Sequence, residues 1–305
     1  MAEEKSYSSP AAFYSAVTSR AKKEATERRV PTQRLIREFD FSRLLARVFT
    51  ADRADQWVLK GGQAMLVRVS DPRTTKDIDL LHRRDPSNLD AAVDDLRAAL
   101  ATTVDDFYGF EIVKVEEIHA NNAQTGVQCR RVTVSVRCGA KPLSSIQIDV
   151  VADSCMTDVP VTSNYPAVGV PSVRAPRVAL YPVVDHIADK VCATHAVYAH
   201  GRHSSRDRDM VDLALFAVSH SVPGDRLRNA IVTEWNHREL DGRPRFDPPP
   251  TWRDRYSKLA RPIPALVDHT SFDAARALLA DFLDPVFANR TDGCTWSPTL
   301  KAWTQ

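Results

Sequence analysis

The 305-residue sequence lacks the features that mark several common classes of protein. Its five cysteines form no C-x-x-C pair, and their odd number argues against a disulfide framework, so we expect reduced thiols and no zinc site. The apolar runs are much shorter than the roughly 20 residues that a membrane helix needs. The first residues, MAEEKSYSSP, contain no basic segment followed by a leucine-rich core. We therefore expect a cytoplasmic protein with no membrane partner.

Three enzyme motifs are also missing. The chain has neither the G-x-x-x-x-G-K-[ST] loop of P-loop ATPases nor the G-x-G-x-x-G turn of dinucleotide enzymes, and it has no G-x-S-x-G elbow of serine hydrolases. The net charge of +2 is too small to indicate nucleic-acid binding by itself. Lysine and arginine cluster at residues 20–29, 202–208 and 243–255. Acids are interspersed in each cluster, so solvated surface is the simpler interpretation and RNA binding the alternative.

The most informative segment runs from residue 59 to residue 81 and begins with the glycine pair of LKGGQAMLVRV. A strand, a Gly-Gly turn and a short helix are predicted in that order. Such a turn leaves backbone N–H groups free to bind a phosphate, which makes Gly61 and Gly62 candidates for a nucleotide site. The neighbouring Lys60 and Gln63 belong to the same candidate site.

Three carboxylates are candidates for a metal site. The segment DIDLL reads as a short strand, in which residues two apart share a face, so Asp77 and Asp79 point the same way. Adjacent carboxylates repel unless a cation lies between them, and Mg²⁺ prefers such oxygen ligands together with phosphates. Asp149, on the polar side of the predicted strand SSIQIDVV, is a candidate third ligand of a two-metal site. The alternative is that these three carboxylates are solvated side chains on exposed strand faces and bind no metal. Thr74 and Thr75, just before the acids, are candidates for phosphate contact.

Two predicted helices carry the remaining candidates. In PVVDHIADKVCATHAVYAH an apolar stripe recurs at helical spacing, and Lys190 lies off that stripe. Its ammonium group could reach a phosphate, although a solvated lysine is the alternative. The segment RDRDMVDLALFAV predicts a second helix, whose early acids Asp207 and Asp209 complement the helix N-terminus. Asp212, next to core residues, is predicted to pair with a cation such as Lys190 or Arg206.

The order of elements predicts an α/β fold in two parts. Two helices precede the strand, Gly-Gly turn, helix and acidic strand, and three further strands are predicted near residues 110–118, 132–138 and 145–151. These strands would form a mixed sheet. A proline-rich stretch, NYPAVGVPSVRAPRVALYP, then separates the sheet from a mainly helical tail. We expect one domain over residues 1–172, with the N-terminal helices and the core, and a second over residues 173–305.

The motifs together resemble a known enzyme family. The run KGGQAMLVRV and RTTKDIDLL, with HIADKVCATHAVY and RDRDMVDLALF about a hundred residues later, is similar to the AbiEii-type nucleotidyltransferases. These are toxins of type IV toxin–antitoxin and phage-defence operons, and they include the mycobacterial tRNA-modifying toxins. The resemblance extends from about residue 57 to residue 216. It implies a DNA-polymerase-β-like nucleotidyltransferase core with a mixed sheet, followed by a helical C-terminal domain.

The resemblance also implies roles for residues of the motifs. The glycine pair would hold the triphosphate, the paired acids the metal, and Lys190 the nucleotide phosphates, while Asp212 would complete the site. Gln63 departs from the pattern, because nucleotidyltransferases often have a serine or threonine there. The candidate catalytic residues are Asp77, Asp79, Lys190 and Asp212. The candidate nucleotide-binding residues are Lys60, Gly61, Gly62, Gln63, Thr75 and Lys190, and the candidate metal ligands are Asp77, Asp79 and Asp149.

We therefore expect an Mg²⁺-dependent enzyme that transfers a nucleoside monophosphate from an NTP to an acceptor hydroxyl and releases pyrophosphate. By resemblance, the acceptor is the 3′ end of tRNA, the result is a block of translation, and the protein partner is a cognate antitoxin. Two alternatives remain open. One is an enzyme of the same fold that modifies a small molecule such as an aminoglycoside. The other is a non-catalytic binding or regulatory protein with a relict site.

Overall fold

The computed structural model describes residues 7–69, 75–83, 88–104, 106–118, 129–152, 155–195, 197–198, 202–203 and 206–305. No helix in these ranges is both long enough and apolar enough to cross a membrane. The helices are α1 (Pro10–Arg28), α2 (Thr32–Val48), α3 (Gly61–Arg68), α4 (Leu89–Leu100), α5 (Val183–Thr194), α6 (Asp207–Ser219), α7 (Gly224–His237), α8 (Arg253–Ala260) and α9 (Phe272–Phe287). The strands are β1 (Trp57–Lys60), β2 (Asp77–His82), β3 (Tyr108–Ile118), β4 (Cys129–Cys138), β5 (Lys141–Val151), β6 (Val161–Asn164), β7 (Arg177–Leu180), β8 (Val197–Tyr198), β9 (Arg202–His203), β10 (Val222–Pro223), β11 (Thr295–Ser297) and β12 (Ala302–Thr304).

Seven strands of the described chain form one mixed sheet in the order β3-β4-β5-β2-β1-β7-β6. β2 pairs in parallel with β5, and β1 pairs in parallel with β7, whereas the other neighbours are antiparallel. The predicted α/β fold with a mixed sheet is therefore confirmed. The three strands predicted after the acidic strand are present as β3, β4 and β5. β5 begins earlier than predicted, because it pairs with β4 as far as the turn between Cys138 and Lys141.

Alternation along the central strands separates a buried face from a polar one. In β2, Ile78 and Leu80 are fully buried, whereas Asp77 and Asp79 are partly exposed. β4 and β5 alternate in the same way, with Val132 and other valines and isoleucines buried. These buried side chains pack with α1, α2 and α4 into a first hydrophobic core. The acids of β2 therefore lie on the sheet face away from those helices.

Helices α5 to α9 pack around a second hydrophobic core, which includes Ile187, Phe216 and Trp296. Met65 of α3 belongs to this second core, and Ala64 of the same helix belongs to the first. α3 thus lies between the two cores. The predicted boundary between residues 172 and 173 stays a prediction, and β7, which follows it in the chain, pairs with β1 inside the main sheet.

Asp40 is a carboxylate within the first core. It is 3% exposed and accepts a hydrogen bond of 2.7 Å from Oη of Tyr108. Burial raises the pKa of Asp40 from its ordinary value of 3.8 to about 6, although the Tyr108 hydrogen bond and the charge of Arg37 oppose the rise. Because the folded-state pKa lies above the unfolded one, this group destabilises the fold increasingly as the pH rises from 3.8 towards 6.

We expect Asp40→Asn to raise the melting temperature at pH 7.5, because the amide still accepts a hydrogen bond from Tyr108 but carries no buried charge. The pKa shift corresponds to a gain on the order of 3 kcal/mol in the free energy of unfolding. The gain should shrink as the pH is lowered through 6, where the wild-type carboxyl becomes protonated in the folded state. Thermal unfolding at pH 7.5 and pH 4.5 measures it. If Asp40→Asn and the wild type differ in melting temperature by the same amount at both pH values, the raised pKa of Asp40 is contradicted.

Candidate active site

The glycine pair lies at the junction of β1 and α3. Gly61 is the first residue of α3 and has a positive φ of 57°, a conformation that favours glycine. A Cβ on Gly61 would lie 1.9 Å from Oδ2 of Asp79. A Cβ on Gly62 would lie 2.7 Å from Cβ of Thr75. The two glycines therefore let the N-terminus of α3 approach the acidic strand more closely than a side chain would permit.

The acids of β2 lie beside this turn. β2 pairs with β1 on one side and with β5 on the other, which places Asp79 opposite both Lys60 and Asp149. Asp77, two residues earlier, lies opposite Gln147. Alternation puts Asp77 and Asp79 on the same sheet face, where both are partly exposed. The sheet thus brings carboxylates from β2 and β5 together on one face.

The pKa of Asp79 reflects the charges around it. Burial raises this pKa to about 6, and the carboxylates of Asp149 and Asp77 add to the rise, whereas the ammonium groups of Lys190 and Lys60 oppose it. Lys190 is therefore close enough to affect the ionisation of Asp79, although more than a hundred residues separate them in the chain. Carboxylates that repel each other on one face fit a divalent cation such as Mg²⁺, which takes oxygen ligands.

Asp149 is engaged by Arg131, a partner that the sequence patterns did not predict. Arg131 lies opposite it on β4 and donates to it from Nε at 2.8 Å and from Nη2 at 2.7 Å. Within the described residues, no three His, Cys, Asp or Glu side chains form a group that could hold a metal ion. The predicted trio of Asp77, Asp79 and Asp149 therefore shares a sheet face without forming a ready three-carboxylate site, because one guanidinium engages both oxygens of Asp149.

Lys190 is a buried cation of α5, only 4% exposed. Its Nζ lies 2.6 Å from Oδ2 of Asp212 and 3.0 Å from Oδ1 of Asp209, and both acids belong to α6. The predicted pairing of Lys190 with Asp212 is confirmed. The alternative of a solvated lysine is wrong, because a lysine in this position is tolerated only with paired carboxylates.

Asp207 and Asp209 occupy the first turn of α6, as predicted. Their role goes beyond complementing the helix N-terminus, since both are buried and each pairs with a cation. Asp209 pairs with Lys190, and Oδ2 of Asp207 lies 3.1 Å from Nε of Arg255. Helical spacing predicted their place on α6 but not these partners, which come from α5 and α8.

A network of charges holds the side chain of Lys60. Its Nζ lies 3.7 Å from Oδ1 of Asp189 and 4.3 Å from the centre of the Tyr181 ring. Nη2 of Arg238 donates to the same Asp189 oxygen at 2.7 Å, and Nε of Arg238 donates to Glu234 at 2.6 Å. Burial by itself would raise the pKa of Asp189, but the charges of Lys60 and Arg238 lower it below its usual range. Lys60 is thus tied to α5 and α7.

Gln63 is fully buried beneath the acidic strand. Its Nε2 donates to the backbone oxygen of Asp77 at 3.3 Å, and its Oε1 accepts from Oη of Tyr165 at 2.5 Å. The Gln63 side chain, a predicted nucleotide contact, therefore supports the backbone of β2 and is not presented to solvent. Thr75 is partly exposed, with Oγ1 3.5 Å from the same Asp77 oxygen. Thr74 lies outside the described residues.

Four side chains that shape the site were not found from the sequence. The sequence could have indicated Arg131, because it lies on the polar side of a strand whose alternate residues are buried valines. The sequence could also have indicated Asp189, because it is adjacent to Lys190. No sequence pattern indicated Tyr165 or Arg238, because each comes from a segment with no motif and reaches the site only through the fold.

Backbone N–H groups at a helix start, two carboxylates on one strand face and a buried lysine together suit nucleotidyl transfer, which must bind and neutralise a triphosphate. The fold and the site therefore define a class, the nucleotidyltransferases. A family model described as "Nucleotidyl transferase AbiEii toxin, Type IV TA system" matches residues 43–278. The chain belongs to this family of nucleotidyltransferase toxins. Membership implies a nucleotide substrate and an antitoxin partner, and it supports an enzyme over the non-catalytic alternative.

A solved structure of a nucleotidyltransferase toxin shares the fold. MenT4, a nucleotidyltransferase toxin from Mycobacterium tuberculosis H37Rv, is similar with a TM-score of 0.52 and 15% sequence identity, over 90% of this chain and 99% of that one. A putative nucleotidyltransferase from H. pylori has a TM-score of 0.39 and 14% identity, over 70% of this chain and 86% of that one, which is too distant to support an argument. No curated protein matches the sequence.

We expect Gly61→Ala to abolish nucleotidyl transfer, because the new methyl group would sit 1.9 Å from Oδ2 of Asp79 on a backbone with positive φ. The left-handed conformation alone should lower the free energy of unfolding by roughly 1–2 kcal/mol. The matched control is Gly169→Ala, where a Cβ would meet nothing within 4 Å. Activity and melting temperature are measured for both variants. Wild-type activity in Gly61→Ala would show that the close approach to Asp79 is dispensable.

Proposed function

We propose that this nucleotidyltransferase is an Mg²⁺-dependent toxin that transfers a nucleoside monophosphate from an NTP to the 3′ end of tRNA and thereby blocks translation. The observation that carries the proposal is the contact of the Gly61 turn with Asp79, whose carboxylate is also within electrostatic reach of Lys190. A triphosphate needs backbone donors, a metal and a cation in one place. The motif resemblance to mycobacterial tRNA-modifying toxins supports tRNA as the acceptor. Because NTPs and tRNA are cytoplasmic, we place the enzyme there.

We also assign residues 1–172 to a DNA-polymerase-β-like core and residues 173–305 to a helical C-terminal domain. In this assignment, β1, α3, β2 and β5 supply the turn and the carboxylates, and α5 and α6 supply the lysine and its acids. The second hydrophobic core, formed by α5 to α9, supports a helical C-terminal domain, and β7, with Val178 and Leu180, belongs to the sheet and the first core.

Asp77 and Asp79 would hold the metal, because they are partly exposed on one strand face. When bound, Mg²⁺ would neutralise phosphate charge and orient the α-phosphate. The backbone N–H groups of Gly61 and Gly62 would donate to triphosphate oxygens, with Thr75 packed beside them. These groups fix the nucleotide next to the acid-bearing strand.

Lys190 would offset negative charge on the triphosphate, as would Lys60. Both ammonium groups already act on the carboxylate of Asp79. Asp212 is fully buried and 2.6 Å from the lysine nitrogen, so we assign it to holding Lys190 in place. It is a positioning residue.

The proposed reaction balances as a single displacement. The oxygen of the acceptor's terminal hydroxyl forms a bond to the α-phosphorus of the NTP. The bond between that phosphorus and the oxygen leading to the β-phosphate breaks, and pyrophosphate leaves with the electron pair. The hydroxyl proton is released to water. No oxidation or reduction takes place.

The test is an incubation of the purified protein with each α-labelled NTP, Mg²⁺ and total tRNA. We expect label in tRNA with the wild type and with the control Asp94→Asn, whose side chain is 73% exposed on α4. Asp79→Asn should lose at least roughly a hundredfold in rate, because it removes a metal ligand. Equal labelling by Asp79→Asn would contradict the metal assignment. Label in an aminoglycoside and not in tRNA would establish the small-molecule alternative.

A readout independent of activity accompanies this test. Because burial and nearby acids disfavour the ionised form of Asp79, Asp79→Asn should melt no lower than the wild type without metal. Mg²⁺ with an unreactive NTP analogue should raise the melting temperature of the wild type but not of this variant. An equal rise in both proteins would place the metal elsewhere.

The two acids that hold Lys190 should differ in importance. Asp212→Asn should lower both the rate of transfer and the free energy of unfolding, the latter on the order of 3 kcal/mol, because it breaks a fully buried pair. Asp209→Asn should have smaller effects, since its contact with Lys190 is 3.0 Å and its carboxylate is less buried. Rates and chemical denaturation curves measure both. A larger loss in Asp209→Asn would reverse the assignment of Asp212 as the main positioning residue.

A further inference from the structure

The polar side chains around the acids form a continuous surface on one side of the sheet, which we call the open face. Its members alternate with buried residues and are partly or largely exposed. They come from three adjacent strands, β2, β5 and β4, in that spatial order. The open face consists of Asp77, Asp79, Gln147, Asp149, Arg131 and Thr133.

Cations flank the acids of this face from two directions. On the β1 side lie Lys60 and Lys190, which the proposed function assigns to the NTP. On the β5 and β4 side lies Arg131, held by Asp149 with two hydrogen bonds of 2.7 and 2.8 Å. The side chain of Arg131 is 36% exposed, so a ligand has access to it.

Arg37 is a second cation on the β5 side. It extends from α2, and its Nη1 donates to the backbone oxygen of Ser144 at 3.1 Å. Ser144 precedes Gln147 by three residues on β5, and Gln147 lies opposite Asp77, so this contact places the guanidinium near the start of the acidic strand. Burial lowers the pKa of Arg37, and the charges of Asp40 and then Asp77 oppose that shift. The guanidinium also lies 4.7 Å from the centre of the Phe41 ring, so it is held between the first core and the start of β2.

The geometry separates the approaches of the two substrates. If the NTP lies on the glycine turn between β1 and α3, its α-phosphate meets the acids from the β1 side. The acceptor hydroxyl must then reach the α-phosphate over β5 and β4, past Arg131 on the open face. Arg37 comes from α2 on the other side of the sheet and lies beside this path, where β5 extends beyond the start of β2. Asp149 engages Nε and one hydrogen of Nη2 of Arg131, so Nη1 and the second hydrogen of Nη2 stay available to the two free oxygens of a phosphodiester.

We propose that Arg131 and Arg37 bind the phosphodiester adjacent to the acceptor's terminal hydroxyl, and that Asp149 positions Arg131 for this contact. The proposal rests on the proposed function. A contact with a phosphodiester identifies the acceptor as a polyanionic chain, the end of an RNA. Arg131 and Arg37 are specificity-determining residues for the acceptor.

Arg130 provides a matched control. It is the neighbour of Arg131 in β4, but it points to the opposite face of the strand. There it pairs with Glu117 at 3.0 Å and with Asp90 at 3.3 Å. Replacing either arginine removes one positive charge from the same strand and breaks ion pairs, one at Arg131 and two at Arg130, so a loss that occurs only at Arg131 indicates a role on the open face.

The experiment compares Arg131→Gln, Arg37→Gln and Arg130→Gln with the wild type. Labelled transfer is measured while either the RNA or the NTP concentration is varied, and melting temperatures check folding. We expect Arg131→Gln and Arg37→Gln each to raise the KM for RNA at least roughly tenfold, with the KM for NTP unchanged. In a plot of the logarithm of the RNA-binding constant against the logarithm of salt concentration, each variant should have a slope smaller by about one unit than the wild type. Arg130→Gln should match the wild type in both KM values.

Two results would overturn the proposal. An unchanged KM for RNA in Arg131→Gln would show that Arg131 serves only its pair with Asp149. An equal rise in Arg130→Gln would show that the effect comes from a weakened strand. Arg131→Lys adds a check, because lysine keeps the positive charge but not the planar guanidinium. Its KM for RNA should lie between those of Arg131→Gln and the wild type.

Failure of the proposed function is distinguishable from failure of this inference. Binding of a fluorescent RNA oligonucleotide without NTP is measured by anisotropy for the same proteins. If the wild type transfers no label, the proposed function fails, and anisotropy still shows whether Arg131→Gln and Arg37→Gln weaken RNA binding relative to Arg130→Gln. Equal RNA binding by all four proteins would refute the arginine contacts.

Discussion

The contact between the backbone of Gly61 and the carboxylate of Asp79 is the constraint on which the site depends. A helix can begin this close to an acid-bearing strand only if its first residue has no side chain and tolerates a positive φ. The contact places backbone donors and carboxylates side by side. It also packs negative charge into a partly buried region, which raises the pKa of Asp79 by burial and by repulsion from Asp149. The site is therefore destabilised in a way that a bound cation would relieve.

The fold distributes cations around these acids and fixes each of them with a further acid. Lys190 is held by Asp212 and Asp209, and Lys60 lies beside Asp189. Fixed cations are useful to an enzyme that binds a triphosphate, since the charge is already in place when the substrate arrives. The same pairing accounts for the burial of Lys190 and Arg238, since each has an acid within hydrogen-bonding distance.

Local patterns predicted the elements that carry the site. Alternation in DIDLL correctly placed Asp77 and Asp79 on one face, and helical spacing placed Lys190 and Asp212 on two successive helices. The pairing of Lys190 with Asp212 was also predictable, because an acid among core residues needs a cation. The burial of Gln63 was not, because its hydrogen bond to Tyr165 joins residues about a hundred positions apart.

The sequence by itself determined the mixed α/β class, the Gly-Gly turn, the acid pair and the family resemblance, because each follows from the order and spacing of neighbouring residues. Only the tertiary structure decided which groups meet. Strand order put Arg131 opposite Asp149, and the packing of α5 with α3 in the second core brought Lys190 within reach of Asp79. The physical reason is that periodicity specifies which face a side chain occupies, whereas the partner on that face is chosen by the burial of apolar surface between distant elements.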